Sequence, residues 1–207
     1  MSARVPGIIL AGGLARRMGG GDKSLLPLGK DTVLSHVIGR LRPQVTEIAL
    51  NANGDPARFD RYELPVLPDS EPGFPGPLAG VLAGLDWAAA RGAEHIVTVA
   101  ADTPFFPENL VKKLLQAAET QGKPIALAAT LDPERGLLRH PTFGLWPVAL
   151  REDLRAGLRG GLRKIVAWTD QHGAAAAEFS TAPFDPFFNL NTPEDMVQAE
   201  SLPRTCD

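Results

Sequence analysis

From Leu10 to Lys23 the chain reads Leu-Ala-Gly-Gly-Leu-Ala-Arg-Arg-Met-Gly-Gly-Gly-Asp-Lys, a run holding five glycines, two arginines and a lysine. Glycine lets a backbone come close to a ligand and turn its N–H groups inward, and such concavities bind anions. Arginine and lysine add fixed positive charge and donors suited to phosphate oxygens. Together these residues form a candidate cradle for a nucleoside triphosphate. A solvated glycine-rich surface loop is the plainer alternative, but so long a loop directly behind a core strand is more often functional. Two familiar phosphate motifs do not account for it. Gly13 to Gly19 does not supply G-x-G-x-x-G, and Asp22 separates Gly21 from Lys23 where a Walker loop has Gly-Lys-Ser adjacent.

A second chemical group follows the apolar run His95–Ala100, where the chain continues Ala101-Asp102-Thr103-Pro104. A carboxylate at the exit of a buried strand can hold Mg²⁺, a hard cation that favours oxygen ligands and substrate phosphates. It can equally cap the following turn, and a phosphate loop on the same edge tips the balance toward the metal. Asn51 and Asp69 close two further strands. Amide and carboxylate groups can read a base edge or ribose hydroxyls, yet both are routine turn formers and the residues alone favour the turn. Asn53 is a neighbouring candidate. In Gly76-Pro77-Leu78-Ala79-Gly80 a loop enters a helix. Gly76 and Gly80 permit close approach and the helix start offers N–H donors, although Pro-initiated helix entry and close packing explain the run as well.

Asn189 and Asn191 alternate along an extended segment and so point the same way. They could hold substrate phosphate or complete a metal shell, and capping of the next helix falls to Thr192. His140 precedes a strand and is a candidate to face a second substrate, although a lone histidine is more often structural. His36, His95 and His172 show no metal spacing. Arg155, Arg159, Arg163 and Lys164 read as a solvated helix face able to meet an anionic partner.

The elements that must position these groups follow from periodicity. Val5–Leu10, 47–51, 64–67, His95–Ala100, 125–129, 142–146 and Ala174–Phe179 read as strands. Helical spacing covers 33–41, with Pro43 ending it, then 78–90, 109–121, 148–158, 162–168 and 192–200, the last with Pro193 at its first position. Strand and helix alternate, which predicts a mostly parallel sheet with helices on both faces. In such sheets ligands sit beyond the carboxyl ends of the strands, where the loops starting at Ala11, Asn51, Pro68 and Ala101 lie.

At 207 residues the chain suits one well-buried domain, 1–207, with no linker and no internal repeat. A net charge of −3 gives no global field toward nucleic acid or anionic membrane, so the basic residues near the N-terminus are a local feature. A single cysteine, Cys206, excludes an internal disulfide and a cysteine-based zinc site. No signal-peptide pattern opens the chain and no apolar run is long enough to span a bilayer, so a cytoplasmic location is expected.

The run LAGG-x-A-RRMGG-x-DK-x-LLPL resembles the opening signature of single-domain nucleotidyltransferases, most closely the molybdenum cofactor guanylyltransferases (MobA-like) that make molybdopterin-guanine dinucleotide. Asp102-Thr103-Pro104 is similar to the family's metal-binding D-x-P, Gly76–Gly80 to its G-P-L-A-G, and Asn189–Asp195 to its N-x-N-T-P-E-D. The departures are Leu14, where a polar or charged residue is usual, and Gly21, which extends the glycine run.

The resemblance implies a Rossmann-like α/β nucleotidyltransferase fold, with the nucleotide in the N-terminal half and the acceptor in the C-terminal half. It implies transfer of GMP from GTP to molybdopterin with release of pyrophosphate, with Mg²⁺ as cofactor. Lys23 and Arg17 would steady the triphosphate, with Arg16 a weaker candidate, and Asp102 would hold the metal. Nucleotide contacts are implied at Leu10, Ala11, Gly12, Gly13, Gly19, Lys23, Asn51, Asp69, Gly76 and Gly80, and acceptor contacts at Asn189, Asn191 and His140. Transient contact with molybdenum-inserting or product-accepting proteins is also implied. The alternatives are a cytidylyl- or sugar-nucleotide transferase of the same fold, against which G-P-L-A-G speaks, and a nucleotide-binding module without turnover.

Overall fold

The first strand, Gly7–Leu10 (β1), is buried on both sides, with Ile8 and Ile9 pointing to opposite faces of the sheet. A computed structural model describes residues 5–12, 22–71, 73 and 76–201 of the chain. The glycine–arginine stretch 13–21 therefore lies outside the described residues, and with it Gly13, Leu14, Arg16, Arg17, Gly19 and Gly21. The chain resumes in a short turn at Lys23–Leu25 and a two-strand ribbon, Pro27–Leu28 (β2) and Asp31–Thr32 (β3). Helix Val33–Leu41 (α1) follows. Its cap is the Thr32 hydroxyl, which accepts from the Ser35 amide at 3.1 Å, and it buries Val33, Leu34, Val37, Ile38 and Leu41, the face that the spacing predicts.

Ile48–Asn51 (β4), a 3₁₀ segment at Pro56–Tyr62 and Val66–Leu67 (β5) lead to helix Pro77–Ala89 (α2). Then come His95–Ala100 (β6), Leu110–Gln121 (α3), the hairpin Ile125–Asp132 (β7) and Gly136–Pro147 (β8), Arg151–Arg159 (α4), Ile165–His172 (α5), Ala174–Phe179 (β9) and Pro193–Ser201 (α6).

The main sheet has the order β5-β4-β1-β6-β8-β7-β9. Only β8 runs against its neighbours β6 and β7; the other pairings are parallel. Helices α1 and α3 cover one face over Ile9, Leu50, Val99 and Phe143, while α2, α4 and α5 cover the other over Ile8, Ala49, Ile96 and Trp146. Burying each large apolar side chain contributes roughly 1.5–3 kcal/mol. Among the described residues no helix is long and apolar enough to cross a membrane.

The α/β expectation holds, and the described residues build one domain around this sheet. The segments 125–129 and 142–146 are much longer than expected. They extend into the β7–β8 hairpin, whose turn is fixed by the Asp132 carboxylate accepting from the amides of Glu134 (2.9 Å) and Arg135 (2.8 Å). The helix expected at 148–158 begins as a 3₁₀ turn at Val148–Leu150, and the one expected at 162–168 spans Ile165–His172.

Strand order sets the position of the site. From β1 the chain moves outward to β4 and β5, then crosses back to β6 on the other side of β1. Leu10 pairs with Asn51 and with Ala100, so the last residues of three parallel strands form one row. This reversal of strand order is where open α/β sheets bind ligands.

A candidate active site at the strand ends

Beyond that row lies a cavity of about 710 Å³. Leu10, Ala11 and Gly12 reach it from β1, Asn51 and Asn53 from β4, and Ala100 to Asp102 from β6. The ladder continues one residue past the strands, since the Ala11 amide donates to Asn51 O at 2.9 Å and the Ala101 amide to Leu10 O at 3.1 Å. Gly12 and Asp102 thus leave the sheet from fixed points. Lys23, Asp69 and Gly76 also line the cavity.

On one side two amides grip a carboxylate. Asn51 Nδ2 donates to Asp69 Oδ1 at 2.9 Å and to Leu67 O at 3.1 Å, and Asn53 Nδ2 donates to Asp69 Oδ2 at 2.7 Å. The Asp69 amide donates back to Asn53 Oδ1 at 2.9 Å. Asn51 and Asn53 are therefore both part of the arrangement. Gly76 opens α2 with φ of 115°, a conformation that favours glycine, and Pro77 begins the helix.

Gly80 is not on the cavity surface. It lies behind Asn51, where a Cβ would stand 2.1 Å from Asn51 Oδ1 and 2.9 Å from Leu10 Cδ2. Gly80→Ala is expected to drive Asn51 off Asp69 at a cost of about 1–3 kcal/mol. A thermal melt should show the midpoint falling by roughly 2–10 °C, and nucleotide titration should show weaker binding.

On the other side, Lys23 Nζ donates to Asn191 Oδ1 at 2.9 Å. The neighbouring Asp22 takes Arg58 Nε at 2.5 Å, and Arg58 Nη2 donates to Asn53 O at 2.6 Å. Arg58 also donates to Asp55 O and lies over the Phe59 ring. Arg58 thereby ties the start of the Lys23 turn to the loop after β4. No motif in the sequence marks Arg58; its one signal is the Pro-initiated turn that carries it. Ser24 was likewise missed. It lines the cavity and is buried, and its Oγ has no hydrogen-bond partner among the described residues. A buried hydroxyl beside Lys23 suits an incoming phosphate oxygen.

Burial pushes the Asp102 carboxyl above the usual carboxylate range, with the Thr103 hydroxyl and the charge of Lys23 pulling it back. Thr103 Oγ1 lies 3.2 Å from Asp102 Oδ1 and 2.5 Å from Asn189 Oδ1. The Leu190 amide donates to Asp102 O at 2.9 Å, stitching the C-terminal segment to the loop after β6. Asp195 Oδ2 accepts from the amides of Asn191 and Thr192, each at 2.8 Å, and its own amide donates to Thr192 Oγ1 at 3.2 Å. This reciprocal cap confirms Thr192 in its expected role. Against the pull of burial, those amides hold the Asp195 carboxyl low. Leu28, Phe105, Leu190 and Ala199 pack together underneath, fastening α6 to the segment that carries Lys23.

Neither Asn189 nor Asn191 is on the cavity surface: Asn191 lies one hydrogen bond behind it, through Lys23, and Asn189 two behind it, through Thr103 and then Asp102. The structure does not bring His140 to the cavity. Its ring stacks on Phe187 at 4.2 Å between centroids and its Nε2 lies 2.8 Å from Thr130 Oγ1. Burial lowers its pKa, with Asp185 acting in the opposite sense. Two residues along the same strand, Thr142 does line the cavity.

Comparison with known proteins identifies the family. A curated molybdenum cofactor guanylyltransferase from Bradyrhizobium is 52% identical over 201 residues, which is 96% of this chain and 92% of that protein. One from Mesorhizobium japonicum is 48% identical over 207 residues, covering 98% and 97%. Among solved structures, molybdopterin-guanine dinucleotide biosynthesis protein A from Archaeoglobus fulgidus superposes with a TM-score of 0.72 at 22% identity, covering 95% of this chain and 97% of that one. A 4-diphosphocytidyl-2C-methyl-D-erythritol synthase from Anaerococcus prevotii gives 0.74 at 14% identity, covering 96% and 95%. These two structures speak to the fold. Residues 7–175 match the model of the MobA-like NTP transferase domain, and the chain belongs to that family.

Proposed function

We propose that the protein transfers GMP from GTP to molybdopterin, forming the guanine dinucleotide cofactor and pyrophosphate. The observation that carries this reading is the meeting of Gly12, Lys23, Asn51, Asp69 and Asp102 on one cavity at the strand-order reversal. An acceptor phosphate oxygen attacks the α-phosphorus in line, a P–O bond forms, and the bond to the β-phosphate oxygen breaks. The attacking phosphate is already ionised, so no protein base is required, and catalysis reduces to positioning and charge neutralisation. Lys23, with Arg17 from the stretch outside the described residues, steadies the triphosphate and the leaving pyrophosphate. Asn51 and Asp69 hold the nucleoside side of the cavity. The acceptor approaches from the side of Asn189 and Asn191, with Thr142 on the cavity wall and His140 behind it in the same hairpin.

The residues suit Mg²⁺. Asp102 is a half-buried carboxylate on the cavity wall with no ion-pair partner among the described residues, and Mg²⁺ prefers one or two carboxylates plus substrate phosphates and water. Among the described residues no group of three or more His, Cys, Asp or Glu forms a metal cage, which matches a cation shared with the triphosphate. When bound there, Mg²⁺ would offset charge developing on the phosphates. A cytoplasmic setting and passing contact with proteins that insert molybdenum or accept the product complete the reading.

The test is a thermal-shift series with GTP, CTP and UTP, each with and without Mg²⁺, followed by pyrophosphate release on adding molybdopterin. At a hundredfold excess over Kd, GTP with Mg²⁺ should stabilise by about 2.7 kcal/mol, raising the midpoint by roughly 5–10 °C. A larger response to CTP or UTP would assign the other transferase class. GTP binding without pyrophosphate release would leave a non-catalytic module.

A further inference from the structure

Two residues past Asp69, Glu71 is held from outside the cavity. Its side chain is only 13% exposed although it lies in a loop. Arg155 Nη1 reaches Glu71 Oε1 at 3.2 Å, and Arg159 donates Nη2 to Oε1 at 2.6 Å and Nε to Oε2 at 3.3 Å. Arg155 simultaneously donates Nη2 to Asp86 Oδ1 at 2.6 Å, and the other oxygen of Asp86 accepts from Ser70 Oγ at 2.5 Å. Asp86 belongs to α2 and the arginines to α4. The segment after Asp69 is therefore clamped to α4 through Arg155 and Arg159 and to α2 through Ser70, and Arg155 alone bonds to both Glu71 and Asp86. Isolated exposed ion pairs do little, but a shared network around sheltered groups fixes geometry more firmly. Among the described residues this clamp and the Asn51–Asn53 grip are the side-chain bonds fixing 69–71.

We propose that Arg155 is a positioning residue for the nucleotide: by bridging Glu71 and Asp86 it holds the Asp69 wall in the shape that receives the nucleoside. The inference rests on the nucleotidyltransferase reading of the cavity. Arg155 touches neither the cavity nor the reacting groups, so its loss acts on binding in ground state and transition state alike. Such a change raises KM and spares kcat. High salt weakens the clamp in the same direction.

The experiment compares the parent with Arg155→Met, Arg155→Lys, Glu71→Gln and the Arg155→Met/Glu71→Gln pair, by steady-state kinetics at low and high salt and by thermal melts. Arg155→Met keeps the aliphatic stem, so it tests the guanidinium rather than packing. We expect KM for GTP to rise about tenfold, a factor that corresponds to the loss of one good polar contact, with kcat within twofold. Glu71→Gln should have a similar effect, the pair should be no worse than the stronger single variant, and added salt should raise KM in the parent more than in the variants. Arg155→Lys should recover only part of the loss, because one ammonium cannot span both carboxylates as a fork does. An unchanged KM overturns the proposal, as does a fall in kcat at constant KM tracking a lower melting point, which marks a merely structural role. If the parent itself neither binds GTP nor releases pyrophosphate, it is the function of the cavity that fails, and the two failures are thereby distinguished.

Discussion

Lys23→Ala should lower kcat/KM for guanylyl transfer by about 10²–10³-fold, the scale seen when one preorganised charge-stabilising donor is removed. Lys23 stands at the meeting of three chain segments: its own turn after the glycine stretch, Asn191 in the segment before α6, and Asp102 after β6, whose carboxyl feels its charge. An ammonium so placed can follow the β- and γ-phosphates as they become pyrophosphate. Its contribution to folding is much smaller. The hydrogen bond to Asn191 is worth about 1 kcal/mol, so the melting midpoint should fall by no more than about 4 °C. Pyrophosphate release and a thermal melt on the same preparation separate the two effects. Activity within threefold of the parent would remove the role assigned to Lys23; a fall in activity matched by collapse of the melt would make it a folding residue.

The strand ends were legible because hydrophobic runs fix where a buried strand stops, and Leu10, Asn51 and Ala100 do end in register. The motifs near them lie on one edge of the sheet, beside one cavity, for the same reason. The hairpin was harder to see. Gly136 to Pro141 carries an exposed Leu137, charged and histidine residues and a proline, features that argue against a strand, and it pairs only because β7 extends alongside it. Side-chain roles were less legible than positions. Gly80 matches a motif associated with the nucleotide, yet its lack of a Cβ makes room for Asn51 rather than for a ligand. Asn189 and Asn191 alternate as expected but act through Thr103 and Lys23. Arg155 looked like a solvated helix face because its partners, Glu71 and Asp86, are 84 and 69 residues away in sequence, and no local pattern encodes such a distance.

Asp102→Asn should move activity and stability in opposite directions. The carboxylate is desolvated at the end of β6, and the folded state holds its pKa above the ordinary value mainly through that burial. For such a group the stability contributed by the protonated form is fully present below the unfolded-state pKa and is lost as pH rises through the folded-state value. At neutral pH, Asp102 therefore weakens the fold relative to a neutral side chain of the same shape. Asparagine keeps the shape and an oxygen for Thr103, and drops the charge. The variant should melt at or above the parent temperature at pH 7, and this advantage should shrink as pH falls into the ordinary carboxylate range, where the parent's own Asp102 takes up its proton. Catalysis goes the other way: without the charge, Asp102 no longer counterbalances a divalent cation on the triphosphate, and kcat should fall by about 10²–10³-fold. Added Mg²⁺ should no longer raise the melting point of the GTP-bound variant as it does the parent. A variant that keeps its activity would displace Asp102 from the centre of the site. A variant that melts below the parent at pH 7, by a margin that does not change with pH, would show that the charge on Asp102 is not what weakens the fold.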